Sequence, residues 1–421
     1  MKKTLLAAAL GLCALAPGFA SASAPETTIR LHYSIPTIWA NPQEQLANAF
    51  MAANPDVKVV LDGPADSYED GTQRLLRESV AGKLPDIAYV GLNLWRVLQA
   101  RGLAQPLDPF IGDMKAFDEK GYGPAVRLGQ YKDQTWALGV SASTLVMYVN
   151  PDLVKQAGGS MATFPTDFDG IIKLAAKINA LSPTTDGIWI EPHDWRFQSL
   201  LGAYGGRPMN ADETDITFDS PAGIAAATLY QRFAKEGGMK TYGSNDARQA
   251  FPAGKLGIML ESSSLLNRFV QGAGDKFNVT VRPLPVMAPA NTVYFPTGGS
   301  GMVMLATDPA QQKAVWRYMQ FVTSPAGEKI IVENTGYAPT NSILVKDDSY
   351  LASYYAANPQ ARPAHQQIAK FAGPWYAYPG DEGVAVNDLI AAALVNVTDG
   401  ANPAETIKSL AATVRTRLGM K

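Results

Sequence analysis

Aromatic and neutral polar side chains are the groups in this sequence best suited to hold a small hydroxylated molecule. The chain has seven tryptophans and 17 tyrosines, and several of them fall in predicted loops at strand ends. A sugar presents hydroxyls that donate and accept hydrogen bonds, and flat C–H faces that stack on aromatic rings. A site for such a ligand therefore needs planar side chains next to amides, carboxylates or hydroxyls.

Two short stretches could bring backbone N–H groups to a ligand. Ser262-Ser263-Ser264 follows a predicted strand and opens a predicted helix, where N–H groups and hydroxyls bind ligand oxygens or an anion. Capping of that helix by one serine is the alternative. Residues 297–301, Thr-Gly-Gly-Ser-Gly, permit a close backbone approach because glycine has no Cβ, and a simple turn between strands is the alternative. This stretch lacks the strand and helix context of a dinucleotide-binding motif.

The sequence offers little for catalysis or metal binding. It contains three histidines and one cysteine, and no G-x-S-x-G, H-E-x-x-H or calcium-loop motif. We therefore expect no catalytic residue, no cofactor and no metal site. An exported glycosidase remains the enzymatic alternative, because 38 acidic residues include many pairs that could act as acid and nucleophile.

The first 22 residues have the pattern of a secretory signal peptide. Lys2 and Lys3 precede an uncharged apolar run from Thr4 to Phe19, and Ala20-Ser21-Ala22 provides the small residues of a cleavage site. We expect cleavage near Ala22 and a periplasmic product; a buried helix or a membrane anchor is the alternative. The only cysteine, Cys13, lies in this segment, so the mature chain would carry no thiol.

The composition is that of an ordinary globular protein with more than one core. Of 421 residues, 47% are hydrophobic and 18% are charged, and the net charge is −2. Domains typically have roughly 100–200 residues, so two are expected. The weak negative charge favours neither nucleic acid nor an anionic membrane as a partner.

Strand and helix patterns alternate along the chain, which predicts an α/β fold. The first three strands begin about 30 residues apart, a spacing that suits βαβ units with a parallel sheet. For the first helix, Asn41 is the expected N-cap and Pro42 the first residue. The predicted strands are 29–33, 57–61, 87–90, 145–149, 187–190, 256–260, 278–282 and 302–305. The predicted helices are 42–53, 67–81, 166–180, 220–236, 262–272, 309–323, 382–395 and 403–418.

Several segments, in order, resemble the type 2 periplasmic binding proteins of ABC importers, in the group that includes maltose-binding and glycerol phosphate-binding proteins. The segments that carry this resemblance are Asn54-Pro55-Asp56-Val57, Leu84-Pro85-Asp86-Ile87, Gly102 to Leu107, Val146 to Leu153, Phe251 to Met259, Ser324 to Glu328 and Gly336-Tyr337-Ala338-Pro339-Thr340.

The resemblance implies a two-lobed α/β architecture, in which each lobe is a mixed, mostly parallel sheet flanked by helices. Lobe 1 would comprise 26–142 plus 284–336, and lobe 2 would comprise 143–283 plus 337–421. Hinge crossovers would lie near Ser143, Pro283 and Tyr337. The family's mode of action implies a monomer that closes its lobes on a small ligand and delivers it to a membrane permease.

The resemblance also implies positions for ligand contacts. Tyr68 matches a ligand-contacting tyrosine of the glycerol phosphate-binding proteins, with an exposed helix-start tyrosine as the alternative. Asn93 stands where maltose-binding proteins place a carboxylate, with capping of the next helix as the alternative. The remaining residues expected at the ligand, which include the serine and glycine stretches above, are Ser143, Glu191, His193, Trp195, Ser262, Ser263, Ser264, Gly298, Gly299, Tyr337 and Trp375.

One difference from the family bears on the class of ligand. Glycerol phosphate-binding proteins hold phosphate with an arginine near the start of the penultimate helix, and here Gly383 stands at about that place. Without this bidentate donor a phosphate anion is disfavoured. We therefore expect a neutral sugar or polyol, with glycerol phosphate or a related organophosphate as the alternative.

Overall fold

The computed structural model describes residues 27–380 and 382–420. The predicted signal peptide, residues 1–22, lies outside the described residues. Within the described part, no helix is long and apolar enough to cross a membrane.

The strands are β1 Thr27–His32, β2 Val57–Leu61, β3 Ile87–Gly91, β4 Gln130–Tyr131, β5 Gln134–Thr135, β6 Leu138–Gly139, β7 Leu145–Val149, β8 Asp186–Ile190, β9 Leu256–Ser262, β10 Thr280–Arg282, β11 Phe295–Pro296, β12 Ser300–Met304 and β13 Ala372–Gly373.

The helices are α1 Pro36–Ala53, α2 Tyr68–Val80, α3 Trp95–Ala100, α4 Asp108–Ile111, α5 Met114–Glu119, α6 Gly123–Arg127, α7 Pro151–Gln156, α8 Phe168–Asn179, α9 Asp194–Ala203, α10 Pro221–Lys235, α11 Ser244–Ala250, α12 Leu266–Ala273, α13 Pro309–Val322, α14 Pro325–Asn334, α15 Ser342–Lys346, α16 Ala352–Ala357, α17 Arg362–Phe371, α18 Gly383–Thr398 and α19 Pro403–Arg417. Short 3-10 turns lie at Met161–Thr163, Ser263–Leu265, Asp348–Leu351 and Pro359–Ala361.

The first lobe is built on a five-stranded sheet in the order β2-β1-β3-β12-β6. β1 runs parallel to β2 and β3, whereas β12 runs antiparallel to β3 and β6. Separate apolar clusters form around Trp39 and Tyr318 and around Leu75 and Leu98. All five residues of β3 are buried, as expected for a strand that is covered on both faces.

The second lobe is built on a four-stranded sheet in the order β10-β7-β9-β8. β8 and β9 are parallel, whereas β7 runs antiparallel to both β9 and β10. α8 packs on β8, and α10 packs with α18 and α19. Both sheets are mixed, as expected. Antiparallel pairs outnumber the parallel ones, however, because β7 and β12, which follow the crossings between the lobes, run against their neighbours.

Backbone hydrogen bonds tie the crossing segments together. Ser143 N donates to Gly298 O at 2.8 Å, and Gly298 N donates to Ser143 O at 2.9 Å. Ala142 and Ala338 exchange a similar pair of bonds, at 3.2 and 2.7 Å. Three segments that are distant in sequence therefore meet side by side between the two sheets.

The packing of residues 284–297 differs from the expected assignment to lobe 1. Val293 and Phe295 belong to the apolar core of the second lobe, and Met287 N donates to Ala203 O at 2.9 Å. Residues 340 and 341 instead bond to Glu328, within α14. We therefore propose that the middle crossing lies at Gly298 and that the third lies after Asn341.

The predicted start of the first helix is wrong. α1 begins at Pro36, and Pro42 lies inside it. Ile35, with φ 56°, turns the chain into the helix, and Pro36 fits the first turn because its missing N–H would be unpaired there anyway. Pro42 costs the helix one hydrogen bond, which is offset by burial of this face around Trp39 and Leu46.

Candidate ligand-binding site

Tyr68, Tyr337 and Trp39 form an aromatic cluster where the first lobe meets the crossing segments. Trp39 Nε1 donates to Tyr68 Oη at 3.2 Å, and the Oη atoms of Tyr68 and Tyr337 are 3.4 Å apart. The rings of Trp39 and Tyr337 stack with centroids 5.5 Å apart. Burial raises the pKa of Tyr68 and Tyr337 above the ordinary tyrosine value, so both present neutral hydroxyls.

Serine hydroxyls lie beside this cluster. Ser300 acts to lower the pKa of Tyr68, and Ser264 acts to lower the pKa of Tyr337, so each serine is a neighbour of a tyrosine hydroxyl. Ser141 Oγ accepts from Ser300 N at 3.0 Å, and Gly336 N donates to Ser264 O at 3.1 Å. Ser264 therefore lies next to Tyr337, and its contact with a ligand stays a prediction.

Ser262 and Ser263 are engaged in local structure. Ser262 is the last residue of β9, and its Oγ accepts from Ser264 N at 3.3 Å, which is the helix-capping alternative. Ser263 Oγ accepts from Thr144 N at 3.2 Å, which ties the end of β9 to the crossing segment. Of the three serines, Ser264 is the one that reaches the tyrosines.

Gly298 and Gly299 allow an approach that a side chain would block. A Cβ at Gly298 would lie 2.7 Å from Trp195 Cζ2 and 2.8 Å from Ser143 Oγ. Gly299 has φ 123°, and a Cβ there would lie 2.2 Å from Ser141 O. The glycine pair thus brings the crossing backbone directly against Trp195 of the second lobe.

Trp195, Trp375 and His193 form the second-lobe side of the site. Trp195 Nε1 donates to Pro296 O at 3.1 Å. The centroids of Trp195 and Trp375 are 6.2 Å apart, and those of His193 and Trp375 are 6.3 Å apart. His193 Nδ1 also accepts from Trp195 N at 3.1 Å, so this histidine caps α9.

Asp194 anchors the position of Trp375. Its carboxylate accepts from Trp375 Nε1 at 3.1 Å and from Gln198 Nε2 at 2.9 Å. Burial raises the pKa of Asp194 to about 6, because the low-dielectric surroundings disfavour the charged form. Asp194 therefore positions the aromatic ring without being exposed itself.

Glu191 has partners within its own lobe. Arg196 contacts it at 2.7 Å, and Ser244 donates a hydrogen bond to it. Burial acts to raise the pKa of Glu191, but the positive charges around it, that of Arg196 first, together with the Ser244 hydrogen bond outweigh burial, and the pKa falls to about 2. Arg196 also contacts the buried Glu261 at 2.5 Å. Glu191 is thus part of a charge network with Arg196 and the buried Glu261, and its contact with a ligand stays a prediction.

Asn93 carries a buried side-chain oxygen next to Tyr68. Its side chain is buried, and its Oδ1 has no hydrogen-bond partner among the described residues. The N-cap of α3 is Leu94 and makes no side-chain cap bond, so capping by Asn93 is not what the structure contains. Asn93 Oδ1 and Tyr68 Cβ both lie close to Gly91, 3.0 and 3.3 Å from a Cβ placed there.

Sequence reasoning missed Trp39 and Glu69. Trp39 lies in a stretch that the sequence analysis assigned to a loop after the first strand. An aromatic residue at the end of a strand was the signal that could have marked it as a site residue. Glu69 follows Tyr68, and its Oε1 is buried without a partner among the described residues. Burial raises the pKa of Glu69, and the positive charge of His193 acts to lower it. His193 belongs to the second lobe, so Glu69 and His193 lie close to each other where the two lobes meet.

The arrangement brings two groups of buried aromatic side chains together with neutral polar groups. Tyr68, Tyr337, Ser264 and Asn93 belong to one group, and the glycine pair joins it to the tryptophans of the second lobe. Such surroundings suit stacking and hydrogen bonding to a hydroxylated ligand. In residues 27–380 and 382–420, no cluster of three or more His, Cys, Asp or Glu side chains could hold a metal ion.

Sequence comparisons place the chain among bacterial binding proteins. The chain is similar to a binding protein of Brucella abortus strain 2308, with 27% identity over 347 residues that cover 77% of this chain and 81% of the relative. It is also 26% identical over 364 residues to the sn-glycerol-3-phosphate-binding periplasmic protein UgpB of Escherichia coli K12, covering 81% of this chain and 80% of that protein.

Solved structures of the same fold cover nearly the whole chain. The UgpB structure of Mycobacterium tuberculosis in complex with glycerophosphocholine matches with a TM-score of 0.81 and 22% identity, over 94% of this chain and 98% of that one. The GacH receptor of Streptomyces glaucescens, solved unliganded and in complex with acarbose, matches with a TM-score of 0.79 and 20% identity, over 94% and 99%. These matches confirm the two-lobed periplasmic binding-protein fold.

The model of one protein family, described as bacterial extracellular solute-binding protein, matches residues 45–363. Since this match spans well over half of the chain, the chain belongs to the family of bacterial extracellular solute-binding proteins, which are substrate-binding components of ABC transporters.

Proposed function

We propose that this protein binds a sugar or sugar-like polyol between its two lobes in the periplasm and delivers it to the permease of an ABC importer. The observation that carries the proposal is the buried cluster of Trp39, Tyr68 and Tyr337, which combines aromatic rings with neutral hydroxyls, the two kinds of group that suit a sugar. The unpartnered Oδ1 of Asn93 adds an acceptor for a ligand hydroxyl.

Glycerol phosphate or a related organophosphate is the second candidate, favoured by the similarity to UgpB of Escherichia coli. The first turn of α18 argues for the neutral ligand. It begins at Gly383, and Val384 packs with Tyr68 and Val97 of the first lobe. This turn therefore brings apolar contact to the place where glycerol phosphate-binding proteins have an arginine.

We also propose that the protein is exported, acts as a monomer and catalyses no reaction. The leader, residues 1–22, is removed near Ala22, and the mature chain works as a monomer that does not bind nucleic acid. The protein is a binder and not an enzyme, in keeping with its family. Incubation with oligosaccharides followed by chromatography of the products checks this, because turnover would assign the protein to the glycoside-active class.

A thermal-shift screen tests the ligand class. The panel contains maltose, maltotriose, glucose, glycerol, sn-glycerol 3-phosphate and glycerophosphocholine. A ligand at 100 times its Kd stabilises the native state by about 2.7 kcal/mol, which for a protein of this size is a readily measured rise in Tm. We expect one or more neutral saccharides or polyols to raise the Tm. A rise with the two phosphate compounds alone would overturn the neutral-ligand proposal in favour of the second candidate.

A further inference from the structure

Arg96 of the first lobe reaches a carboxylate of the second lobe. Its Nη1 and Nη2 atoms donate to the two carboxylate oxygens of Glu213 at 2.7 and 2.8 Å. The side chains are only 10% and 23% exposed, so water screens this pair less than a surface pair. The two parallel bonds use the planar fork of arginine, which lysine cannot reproduce.

The same guanidinium holds a second segment of the second lobe. Arg96 Nη1 donates to the main-chain carbonyl of Ala377 at 3.1 Å. Ala377 lies two residues after Trp375, and the intervening Tyr376 N donates to Gln198 Oε1 at 3.0 Å. Arg96 therefore touches the stretch that carries an aromatic side chain of the candidate site.

Both partners in this contact are held in place within their own lobes. The guanidinium of Arg96 lies 3.8 Å from the ring centroid of Tyr131 in the first lobe, which favours the cation. Glu213 sits at φ 56° in a turn that is fastened to α19 by Arg415, with contacts of 2.6 Å to Asp215 and 2.8 Å to Asp219. Arg96 and Glu213 are therefore ordered within their own lobes, and little conformational entropy is lost when the contact between them forms.

We propose that Arg96 is a positioning residue that stabilises the closed arrangement of the two lobes through Glu213 and holds the Trp375 segment against the first lobe. The contact joins groups from different lobes, so it is lost when the lobes separate. A contact that exists only in the closed state shifts the population toward that state. This inference builds on the proposed capture of a ligand between the lobes.

The test measures the distance between the lobes in the mature, ligand-free protein. The mature chain has no native cysteine, because Cys13 lies in the predicted leader. Cysteines introduced at the exposed positions Val80 and Lys177, one in each lobe, can therefore carry spin labels for double electron–electron resonance. The variants are Arg96→Gln, Glu213→Gln and the two combined. Arg317→Gln is the matched control, since it removes an Arg–Asp56 pair that lies wholly within the first lobe.

We expect Arg96→Gln and Glu213→Gln to move the distance distribution toward longer values, with a fall of about tenfold in the ratio of closed to open protein, the size of effect typical for a hydrogen-bonded charge. The double variant should open no further than Arg96→Gln, because both changes remove the same contact. Arg317→Gln should match the parent, and the circular dichroism of all variants should be unchanged.

Distance distributions that stay unchanged in Arg96→Gln and Glu213→Gln would overturn the proposal, as would an equal opening in Arg317→Gln. Opening in Arg96→Gln without opening in Glu213→Gln would overturn the role of Glu213. These outcomes are independent of the thermal-shift screen, because the distances are measured without ligand. Failure of the proposed function and failure of this inference can therefore be told apart.

Discussion

The hydroxyl oxygens of Tyr68 and Tyr337 lie 3.4 Å apart, although the two residues are separated by 269 positions in the sequence. Tyr68 begins α2 of the first lobe, and Tyr337 lies in the segment that pairs with the crossing strands. Their contact fixes where the first lobe meets the crossing segments, and the proposed binding site contains both residues.

Removal of the Tyr337 ring should weaken ligand binding more than removal of its hydroxyl. Tyr337→Phe deletes one hydrogen bond and keeps the stack on Trp39, so we expect a loss of about 0.5–1.5 kcal/mol. Tyr337→Ala also deletes the aromatic surface, which adds about 0.5–1.5 kcal/mol beyond the buried area. Calorimetric titration with the saccharide that gives the largest thermal shift measures both losses. Tyr350→Ala, which truncates an exposed tyrosine, is the control, and equal affinity in Tyr337→Ala and the parent protein would contradict the expectation.

Gly298 should not tolerate even one methyl group. In Gly298→Ala the new Cβ would lie 2.7 Å from Trp195 Cζ2, so the indole has to move away from the crossing backbone. We expect altered tryptophan fluorescence and weaker ligand binding. Gly63→Ala is the matched control, because a Cβ at Gly63 meets no atom within 4 Å. The same fluorescence and affinity in Gly298→Ala as in the parent would show that Trp195 is not held at this spacing.

The stability of the fold should fall as the pH rises through the titration of Glu328. Burial raises the pKa of Glu328 to about 8, against about 4.3 in an unfolded chain. The folded state therefore favours the protonated form. The contribution of Glu328 to the free energy of unfolding is present in full below pH 4. It is lost as the pH rises toward 8, at no more than about 1.4 kcal/mol per pH unit.

Glu328→Gln imitates the protonated acid and should remove this loss. The amide can still accept from Thr340 N and Asn341 N, and it can donate to Thr340 Oγ1. Urea unfolding at pH 6.5 and 8 should show a smaller decrease in stability for Glu328→Gln than for the parent. Glu333→Gln, an exposed change on the same helix, should behave like the parent, and identical pH slopes in all three proteins would contradict the raised pKa.

Of the residues expected at the ligand, Tyr68 and Trp195 were singled out because their segments resemble ligand-contacting segments of the family and because an aromatic ring can stack on a sugar. The structure places them in the first turns of α2 and α9, and their contact with a ligand stays a prediction. The ion pairs of Glu191 could not be predicted from the sequence. Its partner Arg196 also binds Glu261, which lies 65 residues after Arg196 in the chain, and no local pattern connects these positions. Trp39 was not predicted as a site residue because the first helix was expected to start at Pro42. The helix starts at Pro36 and therefore contains Trp39.

The buried charge network should be sensitive to loss of its central cation. Arg196→Met leaves Glu261, which is 1% exposed, with Arg248 as its remaining cationic partner at 3.0 Å. Breaking a buried ion pair by removing one partner costs about 3–5 kcal/mol, and we expect urea unfolding to show a loss of this order. Arg317→Gln breaks an exposed pair and should lower the free energy of unfolding far less, because water screens such a pair. Losses of similar size in the two variants would contradict the structural importance of Arg196.

Native mass spectrometry shows whether the protein binds a neutral saccharide or polyol and whether Tyr68 and Tyr337 are needed for it. The mature protein and the Tyr68→Ala/Tyr337→Ala variant are each incubated with the neutral saccharides, polyols and phosphate compounds of the screen. The account predicts that the parent gains the mass of one neutral saccharide or polyol per chain and that the variant does not. Binding of phosphate compounds alone, or equal binding of the saccharide by parent and variant, would contradict it.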